Sequence, residues 1–151
     1  MIVLTPDYIC GFVDGEGCFT ITIAKHKQKK IGLDARLHFE IELRADDEPL
    51  LRAIQSHLQC GKIYHLNYER YGWHPHVELK VSSFKEIQSK IIPFFTKHPL
   101  RGKKSKSFEA FKEAAQVFAS KEHLTLEGIE KLKAIRARMN VFSKKSTSPL
   151  I

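Results

Sequence analysis

A predicted helix runs into a predicted strand within residues 8–19, which read Tyr8-Ile9-Cys10-Gly11-Phe12-Val13-Asp14-Gly15-Glu16-Gly17-Cys18-Phe19. Upstream, Thr5 is a suitable N-cap and Pro6 suits the first helical position, so the helix begins there. Gly15 and Gly17 are placed to end it. Across Cys18–Lys25, apolar and polar residues alternate, which predicts a strand with one buried face.

The same two periodicities predict the elements that follow. Alternation around Leu37–Leu43 indicates a second strand, and Lys62–Tyr68 with Trp73–Ser82 is typical of a hairpin in which Trp73 and Val77 face the core. The predicted helices begin at Asp46 or Asp47, at the Ser83/Glu86 capping box, near Phe108 and at Thr125. The order α-β-β-α-β-β-α, with two further helices after it, predicts an α+β fold. Its four-stranded antiparallel sheet would carry helices on one face.

Composition limits the class of protein. The chain has 151 residues, with 25 Lys and Arg against 17 Asp and Glu, and a net charge of +8. This length suits one domain, predicted over residues 1–140, followed by a polar, disordered tail over residues 141–151. No apolar run reaches the roughly 18 residues of a membrane span, and no signal peptide is recognisable. Three cysteines without metal spacing point to a reducing interior, and the positive charge favours nucleic acid.

The polar side of the predicted sheet carries residues that can donate or accept hydrogen bonds toward base edges. These residues are Thr20, Thr22, Arg36, His38, Glu40, Glu42, Lys62, Tyr64, His76, Glu78 and Lys80. The basic turn Lys25–Lys30 lies at its end and suits phosphates. An ordinary solvated face remains the alternative, but the excess of positive charge favours DNA, read through the major groove.

Two features of the predicted helix end are unusual. Gly11 and Gly15 lie four residues apart on one helical face, where each glycine costs about 1 kcal/mol relative to alanine. Such a pair suits the close approach of another backbone. Asp14 and Glu16 lie where the helix dipole disfavours negative charge, so a bound cation such as Mg²⁺ would compensate them. A simple C-cap followed by solubilising acids remains the alternative.

The LAGLIDADG homing endonucleases carry a signature that this chain resembles at Gly11-Phe12-Val13-Asp14-Gly15-Glu16-Gly17. Downstream segments also resemble that family, in order: Ile92-Pro93-Phe94-Phe95, Pro99-Leu100, Gly102-Lys103-Lys104, Phe108 with Phe111, His123-Leu124-Thr125, Glu127-Gly128 and Met139-Asn140. The resemblance therefore covers nearly the whole chain to about Asn140. It implies the homing-endonuclease fold, in which the antiparallel sheet forms a saddle that faces DNA.

The resemblance also implies roles for the motif residues. Glu16, its last acid, would bind the catalytic divalent metal, with the carbonyl of Gly15 as a further ligand. Two motif helices would pair at a tight interface containing Cys10, Gly11, Asp14 and Gly15, with Asp14 capping or supporting the partner helix. Because one motif is visible, the chain would act as a homodimer on a nearly palindromic site. Each centre would cut one strand by in-line attack of metal-activated water.

A basic residue in the active-site pocket is a further implication of the resemblance. Lys104 aligns best with that position and Lys103 is the near alternative, so both are catalytic candidates. The chain departs from the family pattern at Leu43, where some members have a glutamine near the metals. Arg44 or Glu42 would then order the catalytic water, or the water network would be arranged differently.

These observations predict a site-specific, metal-dependent endonuclease with Mg²⁺ as cofactor, while Ca²⁺ supports binding but not cleavage. Its partners would be double-stranded DNA and a second copy of the chain, with no membrane. The predicted DNA-binding residues are Thr20, Thr22, Lys25, His26, Lys27, Lys29, Lys30, Arg36, His38, Glu40, Glu42, Lys62, Tyr64, His76 and Lys80. An RNA-binding intron maturase and a catalytically silent DNA-binding regulator remain the alternatives. The expected location is inside the cell, in an organelle (chloroplast or mitochondrion) or a prokaryotic cytoplasm.

Overall fold

Helices and strands alternate through residues 2–143, the part of the chain that the computed structural model describes. In chain order the elements are α1 Pro6–Glu16, β1 Gly17–Lys25, β2 Leu33–Arg44, α2 Glu48–Leu58, β3 Lys62–Leu66, β4 His76–Val81, α3 Phe84–Glu86, α4 Ile92–Lys97, α5 Lys104–Ala119 and α6 Leu126–Ser143. A π turn over Ile87–Ile91 joins α3 to α4. The predicted α+β order is confirmed. No helix within residues 2–143 is long and apolar enough to cross a membrane.

The four strands form one antiparallel sheet in the order β1-β2-β4-β3. Each hairpin pairs its own strands, and the two hairpins join through β2 and β4, where Phe39 faces Val81. Gly17, the first residue of β1, pairs with Ile41 of β2. The end of α1 therefore lies at the same end of the sheet as the C-terminal residues of β2.

Helices cover one face of this sheet, as the alternation predicts. Phe19 is the second residue after the motif glycine at the end of α1, and its ring lies 5.1–5.8 Å from the rings of Phe39, Phe95, Phe108 and Phe111. Aromatic pairs at this separation add to the energy of burial itself. The apolar core thus holds the start of β1 in place, and with it the end of α1.

Three of the predicted helix starts are confirmed by capping hydrogen bonds. The backbone N–H of Tyr8 donates to Thr5 Oγ1 at 3.2 Å, and that of Glu86 donates to Ser83 Oγ at 3.4 Å. At the last helix, the N–H of Gly128 donates to Thr125 Oγ1 at 3.0 Å. Each hydroxyl satisfies a donor that the first helical turn leaves unpaired.

The second hairpin and the C-terminal helix differ from the prediction. β3 ends at Leu66 and β4 begins at His76, so Trp73 lies in the connecting loop, where it is 60% exposed rather than in the core. Gly72 adopts a φ of 71° there, which turns the chain out of the strand. α6 continues to Ser143 and so includes the first three residues of the predicted tail. Residues 144–151 of that predicted tail lie outside the described residues.

Candidate active site and nucleic-acid interface

The junction between α1 and β1 presents one carboxylate. α1 ends at Glu16, whose side chain is exposed, and the next residue, Gly17, starts the strand. A Cβ on Gly17 would lie 2.6 Å from Cγ1 of Val13, so a side chain there would force helix and strand apart. Because the end of a helix carries partial negative charge, a cation beside Glu16 would be stabilised by both the carboxylate and the helix.

The two motif glycines leave an open helical face. Gly11 and Gly15 are exposed, and a Cβ built on either would meet no atom within 4 Å outside the helix's own backbone. Packing within residues 2–143 therefore does not explain why glycine occupies these positions, where it costs helix stability. The face is available for a close approach by another molecule.

Cys10 does not lie on that open face. The prediction that it belongs to a helix interface is wrong, because the side chain is buried within the chain. The side chain is only 6% exposed, and Sγ donates to the carbonyl of His98 at 3.1 Å. Burial is the main cause that raises the pKa of the Cys10 thiol. This residue joins α1 to the end of α4 within the chain, because it lies on the helical side that faces the core.

Asp14 is also occupied within its own chain. Its two carboxylate oxygens accept from the backbone N–H groups of Arg101 at 3.0 Å and Gly102 at 3.1 Å. Because each carboxylate oxygen can accept a second hydrogen bond, the expectation that Asp14 caps or supports a partner helix stays a prediction. The two hydrogen bonds hold the loop before α5, and with it the start of α5, against the motif.

The loop contact brings Lys104 to the motif, as the resemblance implied. Its ammonium donates to the carbonyl of Val13 at 3.2 Å and also to the carbonyl of Gly17. Burial lowers the pKa of Lys104, and the charges of Cys18, Asp14 and Glu16 oppose that effect. Lys104 thus places a positive charge beside the carbonyls at the end of α1, where the Val13 carbonyl also accepts from the N–H of Gly17. Lys103 is exposed one residue earlier.

Substitution of these two lysines should separate their structural contributions. Lys104→Met removes the ammonium that donates to the Val13 and Gly17 carbonyls, so the free energy of unfolding should fall by about 1–3 kcal/mol. Lys103→Met is the matched control and should change it by less than about 0.5 kcal/mol, because that side chain is exposed. Urea denaturation measures both. An equal effect of the two variants would contradict the assignment of the buried contacts to Lys104.

The position where the family pattern is broken faces the core. Leu43 is 8% exposed and pairs with Val77. Of the two neighbours proposed to order water, Arg44 forms an ion pair with Asp46, while Glu42 is exposed and accepts from Tyr68 Oη at 3.1 Å. Glu42 therefore stands on the polar face close to the junction, one residue beyond the partner of Gly17.

Most of the residues predicted to bind DNA, on the polar face of the sheet and in the basic turn Lys25–Lys30, are accessible to solvent. The exposed ones are Thr22, Lys25, Lys27, Lys29, Lys30, Arg36, Glu42, Lys62 and Tyr64, and the half-buried ones are Thr20, His26, Glu40, His76 and Lys80. Neighbouring cross-strand pairs between β3 and β4 on this face differ in charge. Lys62 pairs with Lys80, and the next pair on the same face is Tyr64 with Glu78. Burial and the Glu40 charge raise the pKa of Glu78.

His38 is a correction to the predicted DNA-binding set. It belongs to the polar face by its position in β2 but is only 7% exposed. Its ring nitrogens are engaged by Thr22 Oγ1 at 3.2 Å and Ser82 Oγ at 3.1 Å. Burial lowers the pKa of His38, and the Lys80 charge adds to this. His38 therefore supports the polar surface from below, where neighbouring side chains cover it.

Acidification should weaken the fold through His38. Because its pKa is lowered in the folded state, the unfolded chain takes up the proton first as pH falls through about 6.5. The free energy of unfolding should therefore decrease between about pH 7.5 and pH 5, and less steeply in His38→Gln. Exposed His74 supplies the control variant His74→Gln, which should keep the wild-type slope. Urea denaturation across this range measures the slopes, and identical slopes for wild type and His38→Gln would refute the assignment.

An aromatic cluster in the β3–β4 loop is a surface feature that the periodicity of the sequence does not predict. Tyr68, Tyr71 and Trp73 contact one another with ring centroids 5.3–6.3 Å apart. The density of aromatic residues between Tyr68 and Trp73 is the available signal, but periodicity assigns Tyr68 and Trp73 to strands. Within residues 2–143, no group of three His, Cys, Asp or Glu side chains is arranged to hold a metal ion.

The sheet and the junction together define an α+β domain with a polar sheet surface and an exposed carboxylate at its edge. Comparison with known proteins identifies the family, because the sequence profile of the LAGLIDADG endonucleases matches residues 9–115. The chain belongs to the LAGLIDADG endonuclease family.

Individual relatives agree with this family assignment. The chain is 34% identical over 138 residues to the probable intron-encoded endonuclease 2 of Neurospora crassa. This alignment covers 91% of this chain but 29% of that protein. The crystal structure of the homing endonuclease I-TnaI is similar with a TM-score of 0.83 and 32% identity, covering 92% of this chain and 90% of that one. I-SmaMI bound to uncleaved DNA target in the presence of calcium ions gives a TM-score of 0.84 and 32% identity, covering 90% of this chain and 45% of that one.

Proposed function

We propose that this protein is a site-specific endonuclease that hydrolyses double-stranded DNA with a divalent metal ion. The observation that carries the proposal is the exposed carboxylate of Glu16, held at the end of α1 beside the polar sheet face. The comparisons support it, since I-SmaMI is a DNA-bound relative and the Neurospora crassa relative is a probable endonuclease. The chain spans less than a third of that curated relative, so the activity proposed is that of the unit described above.

The residues at the junction fit Mg²⁺ by the chemistry of their donors. Glu16 offers an exposed carboxylate and Gly15 a backbone carbonyl near the helix end, and hard oxygen ligands of this kind suit Mg²⁺. When bound, Mg²⁺ lowers the pKa of a water molecule and stabilises charge on a phosphate. Ca²⁺ is larger and accepts more flexible geometry, so we expect it to support binding without cleavage.

The side chains around Glu16 have distinct proposed roles. Lys104 holds the Val13 and Gly17 carbonyls and so orients the end of α1 from which Glu16 projects. Lys103 is exposed beside it and is placed to meet a phosphate by its charge. On the polar face, Lys and Arg side chains would position the DNA backbone, while Thr22 and Tyr64 could donate to and accept from base edges.

A pair of such units is proposed to form the complete enzyme. The Gly11 and Gly15 face is open, and closely packed helices need small residues where their backbones approach. This chain covers 90% of I-TnaI but only 45% of I-SmaMI, so the I-SmaMI chain is about twice the length that this unit matches. We infer a homodimer through α1, and its twofold symmetry would favour a nearly palindromic target.

An RNA-binding intron maturase and a catalytically silent DNA-binding regulator are the competing functions. Both could use the polar face, but neither needs an exposed carboxylate at the α1 end. The relative from Neurospora crassa is described as intron-encoded, which is consistent with either a nuclease or a maturase. An intracellular location, in an organelle or a prokaryotic cytoplasm, follows from a genomic DNA target.

Selection of bound sites from a random duplex library tests the proposal. Selection in Ca²⁺ should enrich one long, nearly palindromic sequence, and adding Mg²⁺ to the recovered pool should cut both strands near its centre. Enrichment without cleavage would favour the regulator. If no duplex is enriched, binding to intron RNA becomes the function to test, and the nuclease proposal is refuted.

A further inference from the structure

Four rings and one guanidinium form a continuous series, the aromatic ladder, which consists of His76, Tyr68, Trp73, Tyr71 and Arg70. Ring centroids are 5.0 Å apart for His76 and Tyr68, 5.5 Å for Tyr68 and Trp73, and 5.3 Å for Trp73 and Tyr71. Cζ of Arg70 lies 4.8 Å from the centroid of the Tyr71 ring. The contacts orient the rings without burying them, since Trp73 remains 60% exposed and Tyr71 54% exposed.

The backbone of the loop is held in one conformation by its own hydrogen bonds. The N–H groups of Tyr71 and Trp73 both donate to the carbonyl of Tyr68, at 2.9 and 3.2 Å, and Gly72 donates to Glu69 at 2.9 Å. Gly72 has a φ of 71°, a conformation that side-chain-bearing residues rarely adopt. The exposed rings are therefore pre-organised, which reduces the entropy lost when a flat ligand binds them.

The ladder lies on the polar side of the sheet and near the α1 end. Tyr68 Oη donates to Glu42, and Glu42 follows Ile41, the residue that pairs with Gly17. Since β1 and β4 are separated by β2, two strand spacings of about 4.8 Å place β4 roughly 10 Å from β1. The ladder therefore adjoins, through Glu42, the polar face that is proposed to hold DNA.

We propose that the aromatic ladder binds the face of an unstacked DNA base close to the cleavage position, an inference that rests on the proposed function. A base within a duplex has both faces covered by its neighbours, so only a base that has left the stack can stack face to face on Trp73. Aromatic side chains stack on any base, because every base has a π face. Arg70 adds a positive charge that can meet the adjoining phosphate.

Trp73 itself reports the contact, because it is the only tryptophan of the chain. The full-length protein is titrated with a mixed-sequence single-stranded DNA oligonucleotide and with an abasic strand of equal length, which keeps the phosphates and lacks the bases. Fluorescence polarisation of the labelled strand measures binding, and tryptophan emission measures stacking in the same samples. The mixed-sequence strand should bind and strongly quench Trp73, whereas the abasic strand should bind more weakly and leave the emission unchanged.

Variants test whether the ring is responsible. Trp73→Leu should weaken binding of the mixed-sequence strand by about 5- to about 100-fold, the range for loss of one stacked base. Trp73→Phe should restore most of the affinity, and Leu126→Ala, at a 60% exposed residue on α6, should leave it unchanged. Circular dichroism confirms that each variant is folded, which is expected because Trp73 lies in an exposed loop.

Three results would overturn the inference. These are binding of the mixed-sequence strand without quenching, wild-type affinity in Trp73→Leu, and tighter binding with stronger quenching by RNA of the same sequence. Failure of the proposed function looks different, because quenching by DNA without Mg²⁺-dependent cleavage of any duplex would support the ladder and refute the nuclease. Cleavage of a selected duplex without quenching by the single strand would leave the nuclease intact and refute the ladder.

Discussion

Glu16→Gln should reduce DNA cleavage by on the order of 10³-fold or more, while affinity for the selected duplex in Ca²⁺ changes by only a few-fold. A neutral amide keeps the size of the side chain but holds a divalent cation far less well than a carboxylate. Several kcal/mol of transition-state stabilisation by the metal would therefore be lost. Cleavage of the duplex under single-turnover conditions measures the rate, and polarisation measures the affinity.

The Glu16→Gln variant should remain folded. Glu16 is exposed, and the relief of helix-dipole repulsion in Glu16→Gln opposes the lost attraction to Lys104, so the free energy of unfolding should change by less than about 0.5 kcal/mol. Urea denaturation checks that the variant is folded. Glu127→Gln is the matched control, since Glu127 is an exposed acid in the first turn of α6, away from the junction, and should retain full activity. Cleavage by Glu16→Gln at more than about a tenth of the wild-type rate would contradict a metal-binding role, given the tenfold loss expected for each 1.4 kcal/mol.

Gly11→Leu should prevent pairing of two chains and so abolish double-strand cleavage without harming the fold of the single chain. A Cβ at this position meets nothing within 4 Å in the chain, so the side chain fits the isolated unit. Leucine in place of glycine should even stabilise α1 by up to about 1 kcal/mol. In a closely packed helix pair, the same side chain would hold the two backbones apart. Analytical ultracentrifugation should show wild-type dimers and Gly11→Leu monomers.

A second glycine supplies the contrasting control. A Cβ on Gly128 would lie 1.7 Å from the carbonyl oxygen of Glu122, so Gly128→Ala should lower the free energy of unfolding of the single chain itself, by at least about 1–3 kcal/mol. Gly11→Leu and Gly128→Ala should thus fail in different ways, one in assembly and the other in folding. Dimers of wild-type affinity in Gly11→Leu would refute the proposed interface.

Much of the fold follows from local patterns. Alternation along β1 and β2 predicts which side chains face the core, and the caps at Thr5, Ser83 and Thr125 predict where helices begin. These signals are local, because a strand repeats every two residues and a cap acts within three. Glu16 and the Lys104 candidate come from the resemblance in the motif and its downstream segments, and the structure brings the two into one region.

The predicted site residues that needed correction, Cys10 and His38, have partners that are distant in sequence. Cys10 contacts His98 and is buried, so it faces the interior of the unit rather than a second helix. Asp14 is half-buried, and its contacts with Arg101 and Gly102 are also distant in sequence. His38 has a strand position typical of a surface residue but is covered by its neighbours. Periodicity assigns a residue to a face of an element, but it does not describe what covers that face.

The sequence by itself determined the order of the elements, the buried side of the sheet and the carboxylate at the end of α1, because each depends on residues a few positions apart. Only the tertiary structure decided that Lys104 holds the α1 carbonyls, that Asp14 holds the loop before α5, and that the β3–β4 loop displays its aromatic rings near Glu42. These arrangements join segments up to about ninety residues apart in the chain. They depend on how the helices pack across the sheet, which no local pattern specifies.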